Sequence, residues 1–260
     1  MSTWPHRAAR EHRAITTLLL SLSATFLASA CSDKNNNNYS PTEPPPPEAT
    51  VITASGDISS KVDEYRQLLG DPKNGPSVPG PATAGRREIN WDGVAAANVN
   101  TNTFPGDFFN TTTKLGLVMT TPGTGFRVSD KDFSDINAAF GDAFNAFSPA
   151  KTFAAVGSNV VDVTFQVAAS TTPAVVSGFG VVFADVDVAG ATKIEVFDKA
   201  GTTLGTFNAP VRSDANGFSF VGVKFASAII ARVRITSGTG ALGAQAQDVS
   251  SGGAADLVVM

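Results

Sequence analysis

The sequence predicts an all-β fold built from antiparallel sheets, and residues 178–235 carry that reading. First, hydrophobicity in this stretch runs with period two. In Ala231-Arg232-Val233-Arg234-Ile235 the apolar residues share one face and the two arginines the other, which is a strand with one buried side. Second, the runs are separated by short turns. Asp198-Lys199-Ala200-Gly201 lies between two strand-like segments, and its glycine can take the positive φ that a tight hairpin needs. Asp214-Ala215-Asn216-Gly217 reads as a second such turn. Third, nothing in the stretch has helical spacing, so strand follows strand and five of them are expected.

Elements outside this stretch follow the same logic. Residues 58–69 form the one expected helix: Asp57 or Ser59 caps it, Val62, Tyr65, Leu68 and Leu69 make its apolar stripe, and Gly70 stops it. Residues 75–85 are rich in Pro and Gly and read as loop. At Glu88-Ile89-Asn90-Trp91-Asp92 the apolar side chains alternate with polar ones, so this segment is expected to open the folded domain as a strand, with Arg86-Arg87 as its solvated start. Residues 115–120 are a short apolar strand. Phe133, Phe140, Phe144, Phe147 and Phe153 lie in a segment whose Gly, Asn and Ser-Pro content favours a packed loop capping an open end of the sheets. Val161, Val163, Phe165 and Val167 alternate with Asp162, Thr164 and Gln166 in another strand. The Gly-rich residues 238–253 lack the following helix and lysine of a phosphate loop and read as a flexible loop. Residues 255–260 are apolar strand material, and an end reached in mid-strand is expected to be weakly held.

Ahead of the domain stand two segments of a different kind. Arg7, Arg10 and Arg13 precede the apolar residues 15–28, a run too short for a membrane span and typical of a signal peptide. Ala28-Ser29-Ala30-Cys31 resembles a bacterial lipobox, although the leucine usual three residues before the cysteine here lies four before it, at Leu27. The resemblance implies cleavage before Cys31, acyl chains on that residue and, with Ser32 rather than Asp following, sorting to the outer membrane of a diderm bacterium. Residues 31–53, with Asn35-Asn36-Asn37-Asn38 and Pro44-Pro45-Pro46-Pro47, cannot bury a core and read as a disordered tether. The expected division is therefore signal peptide 1–30, tether 31–53, helix and loop 54–84, and sheet domain 85–260.

Composition narrows the chemistry. Without the first thirty residues the chain keeps 16 basic and 22 acidic side chains, a net charge of −6 against −4 for all 260 residues. No basic stripe is present, which argues against nucleic acid as a partner. The only histidines, His6 and His12, and the only cysteine, Cys31, lie at or before the lipobox. Histidine triads, thiol catalysis and zinc sites built on His or Cys are thereby excluded from the domain.

Several segments recur together in uncharacterised exported bacterial proteins. The chain resembles that family in Gly85-Arg86-Arg87-Glu88-Ile89-Asn90-Trp91-Asp92-Gly93, in Phe104-Pro105-Gly106-Asp107-Phe108-Phe109-Asn110, and in Gly125-Phe126-Arg127-Val128. Phe183-Ala184-Asp185-Val186-Asp187, Phe197-Asp198 and the Ala231–Ile235 strand complete the match, across roughly residues 60–260. The resemblance implies a lectin-like, jelly-roll-like β-sandwich and brings no activity with it.

The most informative carboxylates are Asp185 and Asp187. They continue the parity of Phe179, Val181 and Phe183, so they emerge at the rim of a buried face if the strand runs on. Two carboxylates that close repel unless a cation intervenes. Calcium, which takes oxygen ligands only, would resolve this, with Glu88, Asn90, Asp92 and Asp256 offering further oxygens. The bland alternative is a strand that ends at Ala184 and leaves both acids in water. A carboxylate pair can also hydrolyse glycosides, but that needs a cleft lined by aromatics, and beyond the signal peptide only Trp91, Tyr39 and Tyr65 offer large amphipathic rings. The expectation is a non-enzymatic envelope lipoprotein, anchored to a membrane, whose sandwich binds a glycan, another surface polymer or a protein. The competing expectation is a structural or adhesive protein without a small ligand.

Overall fold

The computed structural model describes residues 47–212, 217–243, 246–249 and 254–260. The signal peptide, Cys31 and most of the tether lie outside them, as does most of the Asp214–Gly217 turn. Contacts group residues 45–260 into one unit.

Within that unit the strands are antiparallel and fall into two facing layers. In the first layer, β9 (Phe218–Phe225) lies between β1 (Ala49–Gly56) and β6 (Gly178–Ala184). The second has the order β2 (Leu117–Thr120), β5 (Val160–Phe165), β10 (Arg232–Thr236), β7 (Lys193–Phe197), β8 (Thr203–Asn208). A further pair, β3 (Gly125–Ser129) and β4 (Thr152–Val156), extends the first layer through the chain end: Val259 bridges Ala184, while Met260 and Phe153 exchange N–H to C=O hydrogen bonds of 2.6 and 2.8 Å. Between the layers, Phe183, Val221, Val223 and Phe225 pack with Val161, Val163, Ile194, Val196, Val233 and Ile235 in one buried cluster. The expected β-sandwich is therefore the fold, and the five strands expected in residues 178–235 are β6 to β10.

Local chemistry accounts for the hairpins and edges. Gly201 takes φ 83° in the β7–β8 turn, and the Asp198 carboxylate accepts the N–H groups of Ala200 (2.8 Å) and Thr202 (2.9 Å), closing it. On the solvent side of the second sheet, Arg234 lies opposite Asp162 in register and bonds it at 2.8 Å, with Arg232 on the same carboxylate at 2.8 Å. Arg232 also stacks 3.7 Å above the Phe197 ring. Burial pushes the Asp162 carboxyl up, but the hydrogen bonds from Arg234 and Arg232 outweigh it and its pKa is lowered. A lowered acid stabilises the fold above its unfolded value and loses that effect as pH falls through the folded value. Asp162→Asn is expected to cost about 1 kcal/mol at neutral pH, and urea melts at falling pH should show the gap to the parent closing.

Several expectations change. Residues 49–53 are not tether: they belong to β1, which pairs with β9 along its whole length from Ala49–Phe225 to Gly56–Phe218. β1 is half-exposed, with Ile52 its one buried side chain, and so has little apolar signal of its own. Helix α1 (Ser59–Leu69) is present, with the Asp57 carboxylate accepting the Ser59 N–H, but it is no appendage. Ile58, Val62 and Tyr65 pack with Ile52 and Phe220 on the outer face of the first sheet, adding a third layer.

The segment at Trp91 is a 3-10 turn, Trp91–Gly93, rather than a strand. Trp91 stacks on Phe153 with centroids 4.2 Å apart and meets Phe104 and Phe109 edge-on, so two of the recurring motifs converge in one aromatic cluster. Arg86 and Arg87 are not a solvated strand start either. Arg86 bonds Glu88, Asp71 and the Gly70 carbonyl, and Arg87 bonds the carbonyls of Lys114, Val78 and Gly80, so both hold loops together.

The phenylalanine-rich segment contains a single helical turn, α3 (Phe140–Ala143), and follows the earlier turn α2 (Phe108–Thr111). Phe133, Phe140 and Phe144 pack on Ala154 and Val156 of β4 and on Leu242, Leu257 and Val259. Because Phe153 and Ala155 of the same strand face the central cluster, the loop covers the outer face of β4 rather than an open end. The chain end is firmly held: Leu257, Val258 and Val259 are buried, and the first strand pairs with β9 rather than with it.

Candidate functional site

Two places gather polar side chains. The first is the acidic cluster that begins where β6 stops. Asp185 adopts φ 69°, which breaks the alternation inherited from Phe179, Val181 and Phe183, so the strand ends at Ala184. The acids nevertheless do not point into open water, since Asp185 is fully buried and the Asp187 side chain is 18% exposed. Arg212, just beyond β8, reaches both carboxylates through Nε, at 2.9 Å from Asp185 and 2.5 Å from Asp187. The guanidinium thus supplies one positive charge to the repulsion that the paired acids imply.

Two further carboxylates complete this cluster. Asp256, wholly buried, accepts the backbone N–H groups of Asp187 and Val188, each at 3.2 Å. Burial raises its carboxyl above the ordinary range; the two amides pull it down, and the charges of Asp187 and Asp248 push it up again. Asp248, also buried, accepts the Leu257 N–H at 2.7 Å. Asp185, Asp187 and Asp248 each offer an oxygen within 4.8 Å of the others, a spacing that a hard cation can bridge.

Of the residues predicted from sequence to share one site, Asp185, Asp187 and Asp256 are brought together. Glu88, Asn90 and Asp92 have other work. Glu88 bonds Arg86 at 2.7 Å and Lys73 at 3.1 Å. Asn90 caps the 3-10 turn by accepting the Asp92 N–H at 2.8 Å. Asp92 accepts from Ser148 and from the Ala150 N–H. Asp248 and Arg212 escaped sequence reasoning, because each sits in a loop with no periodicity and reaches the cluster only through long-range folding.

The second place is a shallow groove of about 580 Å³ between the loop after β3, the segment that precedes β4, and the start of β9. Asp130, Asp132, Asn145, Pro149 and Phe218 line it. Asp130 is exposed and its carboxylate accepts from the Asn100 side-chain amide at 2.6 Å. Asp132 is half-buried, and desolvation raises its carboxyl above the ordinary value. Phe147, 37% exposed, meets Phe218 edge-on at 5.5 Å, so an aromatic pair marks one margin. No sequence feature singled out Asp130 or Asp132, since a loop acid between strands is ordinary.

Neither a protein-family model nor a curated protein sequence matches the chain. Among solved structures, it is similar to the enzymatically active domain of tailspike protein 4 of bacteriophage CBA120, at 16% identity over 54% of this chain and 20% of that chain. The TM-score is 0.19, too low for that likeness to bear on fold or activity.

Proposed function

We propose that this chain is an exported envelope lipoprotein whose β-sandwich is a non-catalytic binding module for a glycan or other surface polymer. The observation that carries the reading is the groove, which combines ligand-sized volume, carboxylate and amide groups, and an aromatic margin with an exposed ring. A shallow, open trough suits a polymer that lies across the surface. Among the described residues its two carboxylates come from one loop, two residues apart, whereas hydrolysis by paired acids needs them on either side of the scissile bond. That arrangement supports binding over turnover. The adhesive alternative needs a self-complementary apolar patch, and the exposed Val51, Val78, Val188 and Val211 come from separate parts of the chain.

A glycan array probed with residues 45–260 tests the module. Hits that Phe147→Ala weakens roughly tenfold are expected, the order that loss of a stacking ring carries in a small site. An array without hits overturns the reading. The anchor is tested separately: Cys31→Ser is expected to abolish incorporation of labelled fatty acid and move the chain from membrane to soluble fractions. An unchanged distribution would remove the lipid.

A further inference from the structure

We infer that the groove selects glycans bearing free amino groups, such as polymers of deacetylated hexosamine, over neutral and acidic ones. The inference rests on the groove being the ligand site proposed above, and adds the chemical class of what fills it. Among the described residues its lining has two carboxylates and no cationic side chain. Lys131, between the two acids, is exposed, is not part of the lining and joins no ion pair among the described residues, and two further cations nearby are engaged elsewhere. Arg127 bonds Asp135 and Asn102, and the Lys151 ammonium sits on the carbonyls of Asp92 and Val94 at 2.9 and 2.8 Å. Neither Asp130 nor Asp132 takes part in an ion pair among the described residues.

The two acids are also held in place. The Ser129 hydroxyl accepts the N–H groups of Lys131 (3.1 Å) and Phe133 (3.0 Å), and the Phe133 ring is fully buried in the cluster beneath. Asp132 is thereby clamped between two anchored neighbours. Asp130 is oriented by Asn100. A half-buried carboxylate without a countercharge gains most from a ligand that brings one, through a charge-assisted hydrogen bond to an ammonium group. A neutral sugar gains only the aromatic margin and polar contacts. A polyuronate meets like charge, which the site repels.

Isothermal titration of residues 45–260, which contain all three buried clusters, with matched oligomers of glucosamine, N-acetylglucosamine and galacturonic acid tests this. Glucosamine oligomers are expected to bind roughly tenfold tighter than acetylated ones, with galacturonate weakest, and added salt should shrink the preference. Asp132→Asn should bring the two hexosamine affinities together, by weakening the glucosamine oligomer much more than the acetylated one, and Phe147→Ala should weaken both. Equal affinities in the parent, or a preference for acetylated or acidic oligomers, overturn the amino-group inference and leave the binding module standing. Absence of binding to any oligomer, together with a blank array, overturns both.

Discussion

Tyr65→Ala is expected to cost the domain about 3–5 kcal/mol, the range for emptying a buried aromatic site. Tyr65 is 4% exposed, lies edge-on to Phe220 at 5.4 Å and donates its hydroxyl to the Val223 carbonyl at 2.8 Å. Its burial drives the hydroxyl pKa well above the ordinary value, as expected for a phenol kept neutral in a dry contact. The ring fits because β6 and β9 present glycines beneath it. A Cβ at Gly180 would stand 2.7 Å from Tyr65 Cε1, and one at Gly222 would stand 2.8 Å from Tyr65 Cδ2 and Cε2 and from Phe220 Cζ. Gly222→Ala alone should therefore cost about 1–3 kcal/mol through overpacking. Combined with Tyr65→Ala it should cost less than the two losses added, because the new methyl enters vacated space. Urea melts of the three variants measure this. A Tyr65→Ala loss under about 1 kcal/mol would show that α1 is not an integral layer.

Arg212→Ala is expected to have the next largest effect, about 3 kcal/mol or more, because removing one partner strands the others. Asp185 is fully buried, Asp187 half-buried, and the guanidinium is the cation they share in the described structure. Burial alone disfavours both charges, so the loss should register as a lower midpoint in thermal melts near neutral pH. The same variant sharpens the calcium proposal. The trio of Asp185, Asp187 and Asp248 has the spacing for a hard cation, and Arg212→Ala removes the guanidinium charge that the first two share. Calcium is expected to raise the melting temperature of the parent and, by a larger margin, that of the variant, with EDTA reversing both. No shift in either protein removes calcium from the account.

Much of the sandwich was legible before folding because its signals are local. The alternation of Val161, Val163 and Phe165, the Asp198–Gly201 turn and the Ala231–Ile235 strand each lie within a few residues, and each is where it was expected. β1 was not legible, since an edge strand with one buried side chain resembles the polar tether before it. Trp91 misled for a related reason. Alternation over five residues reads as a strand, yet the Asn90 cap and the stack on Phe153 bend the segment into a turn.

Half of the acidic site was visible as the Asp185–Asp187 pair. Asp256 was named with that pair as a further oxygen donor, whereas Asp248 and Arg212 come from positions 25 or more residues away, which no local pattern links. The sequence by itself determined the fold class, through periodicity, and the absence of imidazole and thiol chemistry from the domain, through composition. Which carboxylates meet, why Gly180 and Gly222 must be glycine and where a groove opens were settled by the tertiary fold. These depend on surfaces that the backbone brings together across long loops, and a contact of that kind leaves no trace in the residues on either side of it.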